Sequence, residues 1–109
     1  MAEKTELLPG TLDLLVLRVL SRGELHGWGI TSKLEQLSKR ALQVDEGSLY
    51  PALYRMEDKG WIEAEWKTTE NNRRAKYYSL TRTGRKQLET EQKLWDRTSS
   101  IIAMVLESA

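Results

Sequence analysis

The sequence contains no cysteine and a single histidine, His26. Without cysteine, neither a disulfide framework nor a thiolate metal ligand is available, and the composition suits a reducing compartment. A Ser-His-Asp catalytic site would need His26 near Ser48 and a carboxylate, but the glycine-bounded turn that holds His26 favours a structural role. The sequence also has no glycine-rich phosphate-binding loop and no cluster of metal ligands. We therefore expect no enzyme activity, metal or cofactor.

Long hydrophobic runs are also lacking. The N-terminal segment Met1–Glu6 is mixed in charge, and Arg18 and Arg22 interrupt the apolar stretch that follows it. We therefore expect neither a signal peptide nor a membrane span. The 109 residues are 39% hydrophobic and 30% charged, without repeats or low-complexity tracts, which is typical of one folded domain. These features predict a cytoplasmic protein without a membrane partner.

Positive charge is concentrated in one segment, although the net charge of the chain is only +1. Seven basic residues and one acidic residue lie between Lys67 and Gln87, whereas the rest of the chain has ten basic and fifteen acidic residues. The basic residues are Lys67, Arg73, Arg74, Lys76, Arg82, Arg85 and Lys86. Such a patch fits a phosphate-binding surface, and it also fits an ordinary solvated surface.

Two helices are predicted in the first forty residues. Apolar residues at spacings of three and four between Thr11 and Leu20 indicate the first helix, which ends near Gly23. The segment His26–Gly29 is predicted to turn into a second helix that runs to about Arg40. The inner face of this second helix would carry Ile30, Leu34 and Leu37.

A third helix is predicted to follow. Asp45 or Ser48 can cap its N-terminus, and Pro51 is best tolerated if Ser48 is the cap, because proline then falls in the first turn. Gly60 would end the helix. Its inner face would carry Leu49, Leu53 and Met56, and its exposed face Tyr50, Tyr54 and Arg55.

A hairpin and a long helix complete the chain. Alternating residues from Trp61 to Lys67 and from Ala75 to Leu80 predict two strands joined by a polar, protruding tip, although Trp66 breaks the alternation. From Thr81, a plausible cap, a helix runs nearly to the C-terminus. Its apolar seam contains Leu88, Trp95 and Ile102 at intervals of seven, widened by Leu94, Ile101 and Val105.

This order of elements predicts an α+β, mainly α fold: a winged helix-turn-helix of three helices and a two-stranded wing, followed by a long C-terminal dimerisation helix. The third helix would read a major groove, while the wing would contact phosphates or the minor groove. Tyrosines beside a helix can instead be partly buried core residues, and basic tips can be merely solvated. The predicted DNA-contacting residues are Ser48, Tyr50, Pro51, Tyr54, Arg55, Lys59, Arg73, Arg74 and Lys76.

The segment from Gly47 to Ile62, GSLYPALYRMEDKGWI, resembles the recognition-helix signature of the PadR family of transcriptional regulators. The resemblance extends to the first helix, to the His26–Ile30 segment and to the stretch from Arg73 to Gly84, and so covers most of the chain. It implies a winged helix-turn-helix with a dimerisation helix, usually a repressor of nearby detoxification, transport or stress genes. A single C-terminal helix places the chain in the short branch of the family.

The resemblance also implies that a small aromatic or phenolic effector releases the protein from DNA. In some short-branch members a tryptophan of the last helix lines a pocket at the dimer interface, and Trp95 holds a comparable place. Trp95 could instead be an ordinary packing residue of the seam. Where the family often has a glycine-rich loop before the wing arginines, this chain has Thr69–Asn72.

A two-fold dimer is the economical way to read a palindromic operator, with half-sites about 34–36 Å apart. Residues 1–80 are predicted to form the DNA-binding region and residues 81–109 the dimerisation helix, within one structural domain. The predicted interface residues are Leu88, Trp95, Ile102 and Val105, together with part of the first helix. The competing hypothesis is a winged-helix protein-interaction adaptor that does not bind DNA.

Overall fold

The computed structural model describes residues 10–108. The predictions for Met1–Glu6 lie outside that range. Within it the helices are α1 (Thr11–Leu20), α2 (Gly27–Leu37), α3 (Glu46–Asp58) and α4 (Arg82–Ser108), and the strands are β1 (Leu25–His26), β2 (Ile62–Thr68) and β3 (Arg74–Leu80). The predicted fold class is confirmed: the chain is mainly helical, with a small antiparallel sheet and a long C-terminal helix.

The sheet has three strands in the order β1-β3-β2, so the prediction of a two-stranded wing alone was incomplete. Strand β1 pairs with β3 through Leu25 opposite Tyr78 and His26 opposite Tyr77. Two residues are too few to show the alternation by which a strand is recognised in a sequence. This short strand ties the beginning of α2 to the base of the wing.

Helix α2 begins and ends earlier than predicted. His26 is its N-cap, and the His26 Nδ1 accepts a hydrogen bond of 2.9 Å from the Gly29 backbone N–H. The predicted turn is therefore the first turn of the helix. At the other end, Lys39 and Arg40 have positive φ angles of 53° and 68°, which stops the helix short of Arg40. Leu37, the last residue of the helix, was predicted for its inner face but is 63% exposed.

Asp45, not Ser48, caps α3. The Asp45 carboxylate accepts a hydrogen bond of 2.8 Å from the Ser48 N–H. Pro51 consequently lies inside the helix, where the proline has no N–H to offer the Gly47 carbonyl. The predicted inner face is confirmed, because Leu49, Leu53 and Met56 are fully buried.

The core joins all four helices to the sheet. Its main residues are Val16, Leu17, Leu20, Ile30, Leu34, Leu49, Leu53, Met56, Ile62, Tyr78 and Leu88. Leu88, predicted for the dimer interface, is thus buried within its own protomer. No helix in the described range is both long enough and apolar enough to cross a membrane.

Thr81 and Gly84 pack the first turn of α4 against the residues that precede β2. Thr81 caps the helix by accepting a 3.0 Å hydrogen bond from the Gly84 N–H, and the Thr81 hydroxyl donates to the Gly60 carbonyl at 2.6 Å. A Cβ on Gly84 would lie only 1.9 Å from the Trp61 carbonyl oxygen, so only glycine fits there. Beyond Leu88 the large apolar side chains of α4 are exposed, namely Leu94, Trp95, Ile101, Ile102, Met104, Val105 and Leu106. We call these seven residues the α4 stripe.

Candidate nucleic-acid interface

A groove of about 770 Å³ runs between α3, the wing and the start of α2. Two predicted residues of α3, Tyr50 and Tyr54, line one wall. The three predicted cations of the wing, Arg73, Arg74 and Lys76, line the other wall. The fold therefore brings together five predicted DNA-contacting residues from two separate segments of the chain. We call this site the reading groove.

Both tyrosines are accessible to solvent, but Tyr50 is more closely packed than Tyr54. Tyr54 is 74% exposed, whereas Tyr50 is 40% exposed. The Tyr50 hydroxyl lies 2.6 Å from the position that a Cβ on Gly27 would occupy. The missing side chain at Gly27 thus lets Tyr50 pack against the start of α2, which fixes the direction of its hydroxyl.

Lys76 is held inside the reading groove by a carboxylate and two aromatic rings. The Lys76 Nζ donates a hydrogen bond to Glu57 Oε1 at 3.3 Å and lies 5.9 Å from the Tyr54 ring centre and 5.6 Å from that of Tyr78. Desolvation lowers the pKa of Lys76, but the hydrogen bond that Lys76 donates to Glu57 and the neighbouring charges outweigh it, so that the pKa lies above the ordinary value. Lys76 is therefore cationic, with much of its charge balanced by Glu57.

The two wing arginines are free of acidic partners. Arg73 and Arg74 form no ion pair within residues 10–108, and both are exposed. The Arg74 guanidinium lies 5.7 Å from the ring centre of Trp66 on the neighbouring strand. These two arginines are consequently the strongest uncompensated charges of the groove.

The wing tip is ordered without the glycines that the family often has there. The Thr69 N–H donates to the Arg73 carbonyl at 2.6 Å, and the Arg73 N–H donates to the Thr69 hydroxyl at 3.2 Å. Asn72 takes the left-handed conformation, with a φ of 59°, which asparagine tolerates better than most residues. The tip therefore presents Arg73 from a closed, hydrogen-bonded turn.

The other predicted residues of α3 do not line the groove. Arg55 lies about 140° around the helix from Tyr50 and forms a 2.8 Å ion pair with Asp13 of α1. Lys59 lies 4.7 Å from the ring centre of Trp61. Ser48 and Pro51 are exposed at the N-terminal half of α3. The predicted site is thus divided between the reading groove and the rest of the α3 surface.

Two tryptophans of the groove were not predicted. Trp28, at the start of α2, is 73% exposed, and Trp66, on β2, is 58% exposed. The prediction that Trp66 breaks the alternation of its strand was wrong: Trp66 shares the face of the buried Ile62, but lies nearer the wing tip, where that face is exposed. No signal in the sequence marks Trp28.

The basic segment is also divided. Lys67 donates a hydrogen bond of 2.6 Å to Glu24; this bond, against desolvation, raises the pKa of Lys67 above its ordinary value. Arg82, Arg85 and Lys86 lie on α4 and line a different cleft. Of the seven basic residues, only Arg73, Arg74 and Lys76 line the reading groove.

Glu91 lies behind the ion pair of Arg55, where α4 packs on α1. One of its carboxylate oxygens, Oε2, is buried and has no hydrogen-bond partner among the described residues. Burial raises the pKa of Glu91, the charge of Asp13 raises it further, and Lys59 opposes both effects. The folded state therefore disfavours the ionised form of this side chain.

We expect Glu91→Gln to stabilise the protein at neutral pH. The penalty for ionised Glu91 is complete above its raised folded-state pKa and absent below the ordinary value of 4.5. The gain should be less than about 1 kcal/mol, because the carboxylate is partly screened by solvent. Thermal unfolding of the wild type and of Glu91→Gln, from neutral pH to below 4.5, measures this gain in stability. The difference in stability between the two proteins should disappear in acid. A difference that does not change with pH would contradict the raised pKa of Glu91.

Helices that pack a three-stranded sheet, with a basic wing beside the exposed face of α3, define a winged helix-turn-helix protein. The comparisons with known proteins agree. Residues 16–90 match the model of the transcriptional regulator PadR-like family, and the chain belongs to that family. The matched family is one of transcriptional regulators.

Solved structures support the same conclusion, and a curated relative matches the chain over most of its length. A PadR-like transcriptional regulator from Bacillus cereus is 31% identical, covers 94% of this chain and 97% of its own, and has a TM-score of 0.78. A PadR family transcription regulator from Clostridium difficile is 29% identical, covers 89% of this chain and 99% of its own, and has a TM-score of 0.75. Uncharacterized protein X of Lysinibacillus sphaericus is 27% identical over 104 residues, 95% of each chain.

Proposed function

We propose that this protein is a homodimeric, sequence-specific repressor that inserts α3 into a DNA major groove and holds the adjacent strand with its wing. The observation that carries the proposal is the shared groove: the exposed Tyr50 and Tyr54 of α3 face the same space as Arg73 and Arg74 of the wing. Tyrosine hydroxyls donate hydrogen bonds to base edges or phosphates, and guanidinium groups bind phosphates. One DNA strand lying in the groove would accept hydrogen bonds from the tyrosine hydroxyls and bind the guanidinium groups through its phosphates.

The start of α3 supplies the proposed reading residues. In a helix-turn-helix the N-terminal residues of the recognition helix reach base edges. In this chain Ser48 and Tyr50 hold such positions, and Pro51, which follows Tyr50, is also exposed. Arg55 and Lys59 are proposed to contact phosphates outside the reading groove. Because Arg55 is already paired with Asp13, its contribution should be smaller than that of the wing arginines.

A second copy of this chain is the proposed occupant of the α4 stripe. Seven large apolar side chains exposed on one helix exceed what an isolated soluble domain normally leaves to solvent. Trp95, Ile102 and Val105 would bury this surface in a two-fold dimer. Residues 81–109 would thus form the dimerisation helix and residues 1–80 the DNA-binding region. A palindromic operator follows from the two-fold symmetry.

We also propose that a small aromatic or phenolic effector regulates the repressor. Trp95 is 44% exposed within the α4 stripe, so that its ring could contact both a partner chain and a ligand. An effector that binds there would change the dimer geometry and with it the spacing of the two α3 helices. Trp95→Leu should then leave DNA binding intact and remove the response to the effector.

Selection of bound sequences from a random duplex pool with the purified protein tests the reading assignment. The wild type should select a palindrome with half-sites about one helical turn apart. Ser48→Ala and Tyr50→Phe should relax the preference at particular base pairs by about 1–3 kcal/mol each. Gly27→Ala should have a related effect, because the new Cβ would displace the Tyr50 hydroxyl.

Ser100→Ala is the matched control: it removes a hydroxyl from an exposed position on α4, outside the reading groove, and should leave the selection profile unchanged. An unchanged selection profile for Ser48→Ala, Tyr50→Phe and Gly27→Ala would remove the reading role of this end of α3. Failure of the wild type to select any sequence would instead favour an adaptor without DNA binding.

A further inference from the structure

A second cationic site lies between the end of α1 and the start of α4. The cleft has a volume of about 680 Å³, and its charged lining consists of Arg18, Arg22, Arg82, Arg85, Lys86 and one acidic residue, Glu89. We call it the rear cleft. The five cations come from two segments about sixty residues apart in the sequence, so only the fold assembles them.

The fold makes no use of these charges. None of the five cations forms an ion pair within the described residues, where the ion pairs involve Arg55, Lys67 and Lys76 instead. Arg18, Arg22, Arg82, Arg85 and Lys86 are all exposed. Cations gathered in one cleft repel one another, and this repulsion lowers the stability of the fold unless an anion binds between them.

The rear cleft is separate from the reading groove. Strand β3 carries the chain from Arg74, in the groove, to Leu80, just before the cleft, a distance of about 20 Å. On α1, Arg18 lies about 140° around the helix from Asp13, which faces α3 through its ion pair with Arg55. The cleft therefore opens away from α3.

The chemistry of the lining identifies the kind of anion. Four of the five cations are arginines, which bind phosphate oxygens through two parallel hydrogen bonds. The residues from Arg82 to Glu89 extend about 10 Å along α4, a length over which one DNA strand presents about three phosphates. Among residues 10–108 no aromatic side chain lines the cleft, so these residues offer no stacking surface for a base or an aromatic effector.

We propose that the rear cleft binds the phosphate backbone of a second DNA segment, without regard to sequence. The inference rests on the proposed function in that DNA is the partner, but it concerns a different surface. One chain would then hold operator DNA in the reading groove and flanking or distant duplex in the rear cleft. In a dimer this would give two such clefts on the side away from the operator.

The test counts the short duplexes that one chain binds. With a non-operator duplex of roughly 12 base pairs at about 50 mM salt, where phosphate contacts are strong, titration in the analytical ultracentrifuge should give two duplexes per wild-type chain. Arg18→Glu with Arg85→Glu should reduce this to one. The matched control, Lys93→Glu with Arg97→Glu, changes the same charge on an exposed part of α4 and should retain two.

A wing variant separates this inference from the proposed function. Arg73→Glu with Arg74→Glu should also bind one duplex, at the rear cleft; if this wing variant still binds two, the reading groove is wrongly assigned. The rear-cleft proposal is overturned if Arg18→Glu with Arg85→Glu still binds two duplexes, or if the cleft binds tripolyphosphate but no duplex. It is also overturned if that variant sediments as a monomer, since the cleft would then be a contact between copies.

Discussion

Alanine at both Arg73 and Arg74 is expected to weaken DNA binding about 30-fold for each protomer bound, at roughly 0.15 M salt. Each phosphate contact contributes about 0.9 to the slope of log affinity against log salt, so the slope should become less steep by about 1.8 for one protomer and by about 3.6 for a dimer on its operator. The loss should be similar for operator and random DNA, because backbone contacts carry no sequence information. Fluorescence anisotropy with both duplexes over a salt series measures affinity and slope together.

The structure gives this experiment an internal comparison. Lys76→Ala should cost less than either arginine substitution, because Glu57 already balances the Lys76 ammonium. Lys93→Ala with Arg97→Ala removes the same charge from exposed α4 positions and should leave the slope nearly unchanged. If the two wing arginines behaved like this control, the wing would not contact DNA, and an adaptor role would become the better hypothesis.

Local features of the sequence predicted most of the fold. Apolar positions at helical spacing marked the three short helices and α4, and alternation marked β2 and β3. The cap of α3 was left open because Asp45 and Ser48 are both good capping residues. In the structure the Asp45 carboxylate accepts a hydrogen bond from the Ser48 N–H, and Ser48 already lies in the first turn of the helix.

The elements that the sequence did not predict depend on contacts between distant residues. The two residues of β1 are a strand only because β3 lies beside them. Arg55 looked like a free cation of α3 until the fold placed it against Asp13, 42 residues earlier. The single basic segment became two sites because β3 separates its halves by about 20 Å.

Glutamate at Ile102 and Val105 is expected to make the protein monomeric and to lower its affinity for the operator more than 100-fold, or at least about 2.7 kcal/mol. Both side chains are more than half exposed in the isolated protomer, so neither substitution disturbs the described core. In a dimer the two substitutions would place up to four carboxylates in an apolar interface, at a cost of several kcal/mol. Sedimentation velocity at micromolar concentration measures the assembly, and anisotropy measures the operator affinity.

The matched control adds the same charge to the polar side of α4. Ser100→Glu with Ala103→Glu, which have the same spacing as Ile102 and Val105, should remain dimeric, since both positions are exposed and lie on the opposite side of the helix from Val105. Far-ultraviolet circular dichroism should show that both variants keep their helices.

The size of the effect follows from symmetry. A dimer loses its translational freedom only once when it binds both half-sites of an operator, so the second half-site is bound at little further entropic cost. A monomer binds one half-site and makes half the phosphate contacts. The monomeric variant should therefore bind single half-sites and full operators almost equally, while the wild type should strongly prefer the full operator. A wild type that sediments as a monomer would contradict the role of the α4 stripe. A monomeric variant that keeps full operator affinity would show instead that each protomer reads its DNA alone.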